Sequence, residues 1–155
     1  MHFTQKERML IEDVKSQEQL CIKKYNKYTE QAQDPQLKQL FSSLAQKEQE
    51  HFDTLNQMLA GQIPNVQQGQ QQQQQQHQQQ RFAPLTQNQF NQHDADLCQD
   101  MLSTEKYVSQ TYDTSIFEFT NPQIRQVLNH IQSEEQQHGE QIFKYMESKG
   151  MYQVH

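Results

Sequence analysis

The sequence contains two copies of one pattern, and this internal repeat limits the chain to folds built from two similar halves. Asp13 aligns with Asp100 when the chain is shifted by 87 residues, and further pairs then coincide without a gap. They are Ser16 with Ser103, Glu18 with Glu105, Tyr25 with Tyr112, Asp34-Pro35-Gln36 with Asn121-Pro122-Gln123, Glu48-Gln49 with Glu135-Gln136, and His51 with His138. We therefore expect the two halves to fold alike.

Each half is predicted to form two long helices that reverse at a capped turn. Asp34 and Asn121 can each accept a backbone N–H bond, and the proline after each of them suits the first position of a helix. Helix 1 should run from Thr4 to Gln33, helix 2 from Pro35 to Ala60, helix 3 from Asn91 or Asp94 to Thr120, and helix 4 from Pro122 to Lys149, with Gly61 and Gly150 as stop signals. The repeated unit is thus a helical hairpin.

Apolar residues recur along these helices at alternating spacings of four and three, which is typical of helices with one buried face. The stripes comprise Ile11, Val14, Cys21, Tyr25 and Tyr28 in helix 1, Leu37, Phe41, Leu44, Leu55 and Met58 in helix 2, and Ile124, Leu128, Ile131, Ile142 and Tyr145 in helix 4. Stripes of this kind can close around one core. The sequence predicts an all-α four-helix bundle of two repeated hairpins.

Between the halves, residues 67–80 are glutamine except for Gly69 and His77, which indicates a low-complexity linker. The helices would be ~40 Å long at ~1.5 Å per residue, so placing helix 3 parallel to helix 2 requires a connection that returns over that distance. About 30 residues can span it as a long crossover. We expect hairpin 1 in residues 1–60, a glutamine-rich crossover in 61–92 and hairpin 2 in 93–155, together forming one domain.

Charge and composition exclude several classes of protein. A formal net charge of -6 with a pI of about 5.6 leaves no basic stripe, so a nucleic-acid partner is not expected. The first ten residues have no apolar run, so neither a secretory signal nor a membrane partner is predicted, and synthesis in the cytoplasm is expected. Cys21 and Cys98 stand alone, which fits buried reduced thiols.

Ionisable residues interrupt the apolar stripes. They are Glu18 in helix 1, Glu48 and His51 in helix 2, Glu105 in helix 3, and Glu135 and His138 in helix 4. Counted from the turn at Asp34, Glu18 lies at ~24 Å and Glu48 and His51 lie at ~21 and ~25 Å, and the second half repeats these offsets. The six side chains should therefore gather in one buried layer, where four glutamates exceed the charge of two imidazoles and buried charge is rarely left uncompensated.

One glutamate from each of two helices, with Glu-x-x-His from each of the other two, is the inward ligand set of di-iron and di-manganese bundles. We expect two divalent metal ions, iron or manganese with zinc also acceptable, because hard ions prefer carboxylate oxygen and imidazole suits all three. Glu48 and Glu135 would bridge the two ions, and Glu18 and Glu105 would each cap one ion. His51 and His138 would each add a nitrogen ligand. The alternative is a metal-free polar layer in which protonation helps the carboxylates to pair with the histidines.

Residues around this layer allow further expectations. Tyr25 and Tyr112 follow their glutamates by two helical turns; a redox-active neighbour is one interpretation, and a core tyrosine with a local acceptor is favoured. Asp13 and Asp100 could orient a ligand from outside the set. The remaining histidines are expected in solvent, namely His2, His77, His93, His130 and His155.

A last group of motifs comprises Tyr112-Asp113, Asn121-Pro122-Gln123-Ile124-Arg125, the region of His138, Ile142-Phe143-Lys144-Tyr145-Met146 and Gly150-Met151-Tyr152. The segment from Asp100 to Tyr152 that contains them resembles the coat F domain family of spore coat proteins, and the first half is similar more loosely. The resemblance implies a ferritin-like fold, a spore-forming bacterium, a place in the spore coat and other coat proteins as partners. The ligand set also looks similar to that of ferritins, rubrerythrins and manganese catalases.

Three functions are compatible with these patterns. The first is a spore coat protein of ferritin-like fold that binds a dinuclear metal centre. The second is a di-metal oxidoreductase that acts on peroxide or oxygen, or that oxidises and stores iron. The third is a metal-free structural interaction module, and a homo-oligomer is compatible with each of them. Elemental analysis of the protein and of its Glu48 and Glu135 variants would discriminate between them.

Overall fold

The computed structural model describes residues 2–65, 82 and 90–151. Within these residues the protein forms four α-helices and no strand: α1 (Gln5–Gln31), α2 (Pro35–Leu59), α3 (Gln92–Glu118) and α4 (Pro122–Ser148). The predicted all-α bundle is confirmed. The glutamine tract with His77, and the C-terminal Tyr152 and His155, lie outside the described residues, and the division into three segments stays a prediction.

Capping side chains and two glycines determine where the helices begin and end. Asp34 and Asn121 each accept a hydrogen bond from the N–H two residues further on, at 3.0 and 2.8 Å, as predicted. Helix α1 starts one residue later than predicted because Thr4 is its N-cap. Gly61 and Gly150 follow the ends of α2 and α4 with φ of 91° and 70°, a region that favours glycine.

The two hairpins pack so that α1 lies antiparallel to α3. Lys6 Nζ is 2.7 Å from Glu118 Oε2 near one end of the pair, and Tyr28 Oη is 2.6 Å from Asp100 Oδ2 towards the other. Helices α2 and α3 are both antiparallel to α1, so they are parallel to each other. The chain must therefore return over the bundle's length between them, which is the predicted long crossover.

A buried aspartate holds the two hairpins at one height. Asp94 in the first turn of α3 accepts hydrogen bonds from Gln33 N at 2.9 Å and Asp34 N at 3.0 Å, at the turn of the other hairpin. Tyr145 Oη of α4 donates to Asp34 Oδ2 at 2.5 Å. These contacts hold the start of α3 and the end of α4 at the turn of the first hairpin, so the middle of one hairpin, with its ionisable residues, lies opposite the middle of the other.

The core runs along the bundle between the four helices. Every predicted stripe residue of α2 and α4 is buried, and the largest fully buried side chains include Tyr25, Tyr112, Tyr145 and Phe41. Burial of a large apolar side chain contributes ~1.5–3 kcal/mol, so these stripes supply most of the drive to fold. None of the described helices is long and apolar enough to cross a membrane.

Candidate metal centre

The six predicted ligand residues meet in the middle of the bundle, and none of them is more than 3% exposed. Their oxygen and nitrogen atoms form two groups of four, and within each group the atoms lie within 4.8 Å of one another. One group is Glu18, Glu48, His51 and Glu135, and the other is Glu48, Glu105, Glu135 and His138. The groups share Glu48 and Glu135, the pair for which the sequence predicts a bridging position.

Each histidine makes its shortest contact with a glutamate of the opposite hairpin. His51 Nδ1 lies 2.9 Å from Glu135 Oε1, and His138 Nδ1 lies 2.6 Å from Glu48 Oε1. The glutamate one turn earlier on the same helix is further away, at 3.8 Å for His51 and 3.5 Å for His138. The two short contacts are equivalent under the repeat, so the layer has approximate twofold symmetry.

Two buried tyrosines hold the remaining glutamates, again from the opposite hairpin. Tyr112 Oη donates to Glu18 Oε1 at 2.6 Å, and Tyr25 Oη donates to Glu105 Oε1. Burial and the nearby carboxylates raise the pKa of both tyrosines, so both keep their protons and remain donors. Both tyrosines are core residues with an acceptor, as favoured, but the prediction that the acceptor is local is wrong, because it belongs to the other half of the repeat.

The orienting role predicted for Asp13 and Asp100 is wrong. Asp13 is exposed, and Asp100 accepts hydrogen bonds from Tyr28 and Lys24 at the edge of the bundle. Both residues lie off the buried seam, so their side chains do not project into the layer. The tyrosines take the place that the sequence assigned to the aspartates.

Burial and charge divide the four glutamates into two protonation classes. Burial, together with the charges of Glu105 and Glu18, raises the pKa of Glu48 to about 8 and that of Glu135 well above its ordinary value. Burial opposes ionisation of Glu18 and Glu105 as well, but hydrogen bonds and histidine charge outweigh it. They lower the pKa of Glu18 to about 2 and that of Glu105 below its ordinary value.

The two histidines are held in the charged form. Burial would lower their pKa, but the surrounding glutamates outweigh it and raise the pKa of His138 to about 10 and that of His51 well above its ordinary value. These directions favour a cation-free layer in which Glu48 and Glu135 keep a proton while Glu18, Glu105 and both histidines are charged, and such a layer is neutral. Protons can therefore balance the excess of negative charge that the sequence predicts, and this excess does not by itself require a metal. Two divalent ions would replace four protons at equal total charge.

Unused donor atoms give a stronger test of whether metal ions fit here. With all four glutamates charged, Glu18, Glu105 and Glu135 each bury one oxygen, Oε2, that has no hydrogen-bond partner within the described part of the chain. Leaving a buried acceptor unsatisfied costs ~1–3 kcal/mol, so such atoms usually have a reason to be there. Carboxylate oxygen and imidazole nitrogen suit iron, manganese and zinc. The residues present therefore fit a dinuclear carboxylate–histidine site.

Two ionisable residues beside the layer were missed by the sequence analysis. Glu134, 5% exposed, places Oε2 at 3.5 Å from His51 Nε2 and Oε1 at 2.6 Å from His130 Nε2. His130 is therefore half-buried, and the prediction that it lies in solvent is wrong, whereas His2 and His93 are exposed as predicted. The sequence offered one clue to Glu134. The equivalent position in the first half of the repeat is Lys47, so the two halves carry opposite charges there.

A cleft of about 290 Å³ lies between α3 and α4 and reaches this layer. Glu105 and Glu135 line it, together with Leu102, Ser109 and Gly139. The two glutamates are buried, so they form its inner end.

The two cysteines are buried free thiols, as predicted. Burial raises the pKa of Cys98 to about 12 and that of Cys21 as well, so both stay protonated.

The comparisons with known proteins concern mainly the second hairpin. The family model of the Coat F domain matches residues 93–155, a range that contains nearly all of α3 and the whole of α4. The match confirms the resemblance found in this part of the sequence. No curated protein and no solved structure matches the chain.

Proposed function

With residues 93–155 matching the Coat F domain, we propose that this chain is a spore coat protein that binds two divalent metal ions inside its bundle. The observation that carries the metal assignment is the convergence of two overlapping groups of four ligand-type residues, each within 4.8 Å. Iron or manganese is expected, and zinc is acceptable, because the site offers mainly carboxylate oxygen with one imidazole per group.

The six residues divide by role. Glu48 and Glu135 are the bridging ligands, Glu18 and Glu105 are the capping ligands, and His51 and His138 are the nitrogen ligands. Glu48 and Glu135 bridge because each belongs to both groups. Tyr112 and Tyr25 hold one oxygen of Glu18 and Glu105, and this leaves the second oxygen of each for a metal. When bound, iron or manganese supplies Lewis-acid and redox chemistry towards small oxygen ligands.

The coat location rests on the family match, and other coat proteins are the expected partners. A metal-free interaction module is the second candidate, and a specific observation favours it. The raised pKa values of Glu48 and His138 support a layer that protons neutralise without a metal. The same bundle can therefore be stable without a cation, and binding must be measured.

The decisive experiment is elemental analysis of the full chain after incubation with Mn²⁺ or Fe²⁺ and extensive dialysis. Wild-type protein should retain about two ions per chain, the stoichiometry of this ligand set. E48Q and E135Q should lose most of the metal yet remain folded, because an amide resembles the neutral carboxylic acid that each glutamate adopts in the cation-free layer. E50Q is the matched control, since Glu50 is exposed on the same helix and pairs with Lys47.

A folded wild-type protein that retains no metal would eliminate the metal centre and leave the structural module. Retention of metal by E48Q and E135Q would show that the ions bind elsewhere. If metal binds as expected, peroxide consumption by the loaded protein separates a di-metal oxidoreductase from a metal store. Thermal unfolding of each variant verifies that loss of metal does not result from loss of the fold.

A further inference from the structure

The two hairpins differ on the outer face that covers the ionisable layer. Gly139 of α4 stands where α2 has Phe52, and Ser109 of α3 stands where α1 has Ile22. In the first hairpin the ring of Phe52 lies beneath Lys15, with 5.7 Å between Nζ and the ring centroid. In the second hairpin the two smaller residues instead border the cleft of about 290 Å³.

The inner end of this cleft is formed by two proposed metal ligands. Glu105 and Glu135 are at most 2% exposed, yet both line the cleft. Each has an Oε2 atom without a hydrogen-bond partner among the described residues. The outer part is bordered by exposed Lys106 and by partly buried Leu102. The cleft thus leads from the surface of the bundle to these two glutamates, which separate it from the rest of the layer.

Gly139 has no backbone reason to be glycine. It lies inside α4, and the glycines with positive φ in the described chain are Gly61 and Gly150. A Cβ added at Gly139 would meet only Leu102 Cδ1, at 3.8 Å, which is an ordinary contact. Glycine inside a helix is less favourable than alanine. The missing side chain at Gly139 therefore needs another explanation. The space beside it is the cleft.

We propose that this cleft is the passage through which a small ligand of peroxide size reaches the dinuclear centre. This inference rests on the proposed metal site, because the ligand binds to the ions held there. The volume of about 290 Å³ readily admits a molecule of a few atoms. Leu102 and Gly139 provide an apolar wall, and the glutamates at the inner end present the metal-binding side of the layer. The passage lies on the α3–α4 face.

The test uses the full chain loaded with Co²⁺, whose visible absorption reports ligand binding, and azide as the probe. G139F installs the side chain that the first hairpin has at this position, so it should fill the cleft. G139A removes the same glycine but leaves the space open. Azide binding measured by stopped flow should be at least ~10-fold slower in G139F than in G139A, whereas cobalt content should be equal.

A second variant, S109I, narrows the opposite wall with the residue of the first hairpin, and it should slow azide binding even if G139F does not fold. Equal azide rates in wild type, G139A and the folded plugging variants, with cobalt bound in all of them, would overturn the passage and leave the metal site intact. Absence of cobalt from wild-type protein would overturn the metal site itself. The two failures are therefore distinguishable.

Discussion

The hydroxyl of Tyr112 in the second hairpin donates a 2.6 Å hydrogen bond to Glu18 Oε1 in the first hairpin. Its repeat equivalent, Tyr25, makes the same bond to Glu105 in the reverse direction. The two halves are therefore joined by reciprocal bonds at the charged layer. One oxygen of each glutamate is held by this bond, and Oε2 has no hydrogen-bond partner among the described residues.

Removal of the Tyr112 hydroxyl should destabilise the metal-free protein. In Y112F the buried Glu18 loses the donor to Oε1, and an unsatisfied buried acceptor of this kind costs ~2 kcal/mol. Urea unfolding at pH 7 measures the change. Y107F is the control, because Tyr107 is 62% exposed and its substitution should change the free energy of unfolding by less than ~0.5 kcal/mol. Equal stability of the two variants would contradict the structural role of the bond.

Stability of the metal-free protein should fall as the pH rises above about 5. The folded state raises the pKa of Glu48 from 4.5 to about 8 and that of His138 from 6.5 to about 10. Both groups bind protons more tightly in the folded chain. The stabilisation from Glu48 is therefore complete below pH 4.5 and disappears by pH 8. The stabilisation from His138 is complete below pH 6.5 and disappears by pH 10. Glu18, with its pKa lowered to about 2, acts oppositely, and its contribution disappears only as the pH falls from 4.5 to 2.

The two shifts together set the expected loss between pH 5 and pH 9 at no more than about 7 kcal/mol, measured by urea unfolding in the presence of a chelator. E48Q should reduce the slope between pH 5 and pH 8, because the amide does not titrate. Metal affinity should show the opposite trend and increase with pH, since the ligands must release protons. A stability profile that rises from pH 5 to pH 9 would refute the assigned protonation states.

Loss of the Glu134 carboxylate should weaken metal binding without abolishing it. Glu134 lies 3.5 Å from His51 Nε2 on the side away from the layer, where a carboxylate orients the ring and increases its basicity. E134Q should raise the metal dissociation constant by ~10-fold or more, measured by competition with a chelator. E140Q is the matched control on the same helix, because Glu140 pairs with Lys144 at the surface. Equal affinities in the two variants would exclude the orienting role.

G139A should stabilise the protein by ~1 kcal/mol, the difference in helix propensity between alanine and glycine. The added methyl group meets Leu102 Cδ1 at 3.8 Å and forces no rearrangement. Urea unfolding in the presence of a chelator measures the change. A destabilised G139A would show that the helix is strained at this position and that α4 needs glycine there for its backbone.

Much of the architecture was accessible from the sequence because its determinants are local. The caps at Asp34 and Asn121 and the four-three stripes depend on residues a few positions apart. The repeat adds the symmetry, and a constant rise per residue converts sequence distance from a turn into height along a helix. The level of Glu18 with Glu48 and His51 could therefore be counted before any contact was known.

Other features depend on which surfaces meet, and no local pattern encodes them. The bond from Tyr112 to Glu18 and the contact of His51 with Glu134 join side chains on separate helices, which become neighbours only when the helices pack. Protonation depends on burial and on the summed charges of several helices, so the raised pKa of Glu48 could not be inferred from its position in a stripe.

The sequence by itself determined the helices, the twofold repeat and the inward set of six ionisable side chains, because spacing along a helix assigns each residue to a face. The tertiary structure alone decided which glutamate each histidine meets, which carboxylates keep a proton, and where Gly139 leaves a cleft to the layer. These outcomes depend on distances of a few ångströms between separate helices, and such distances are set by packing.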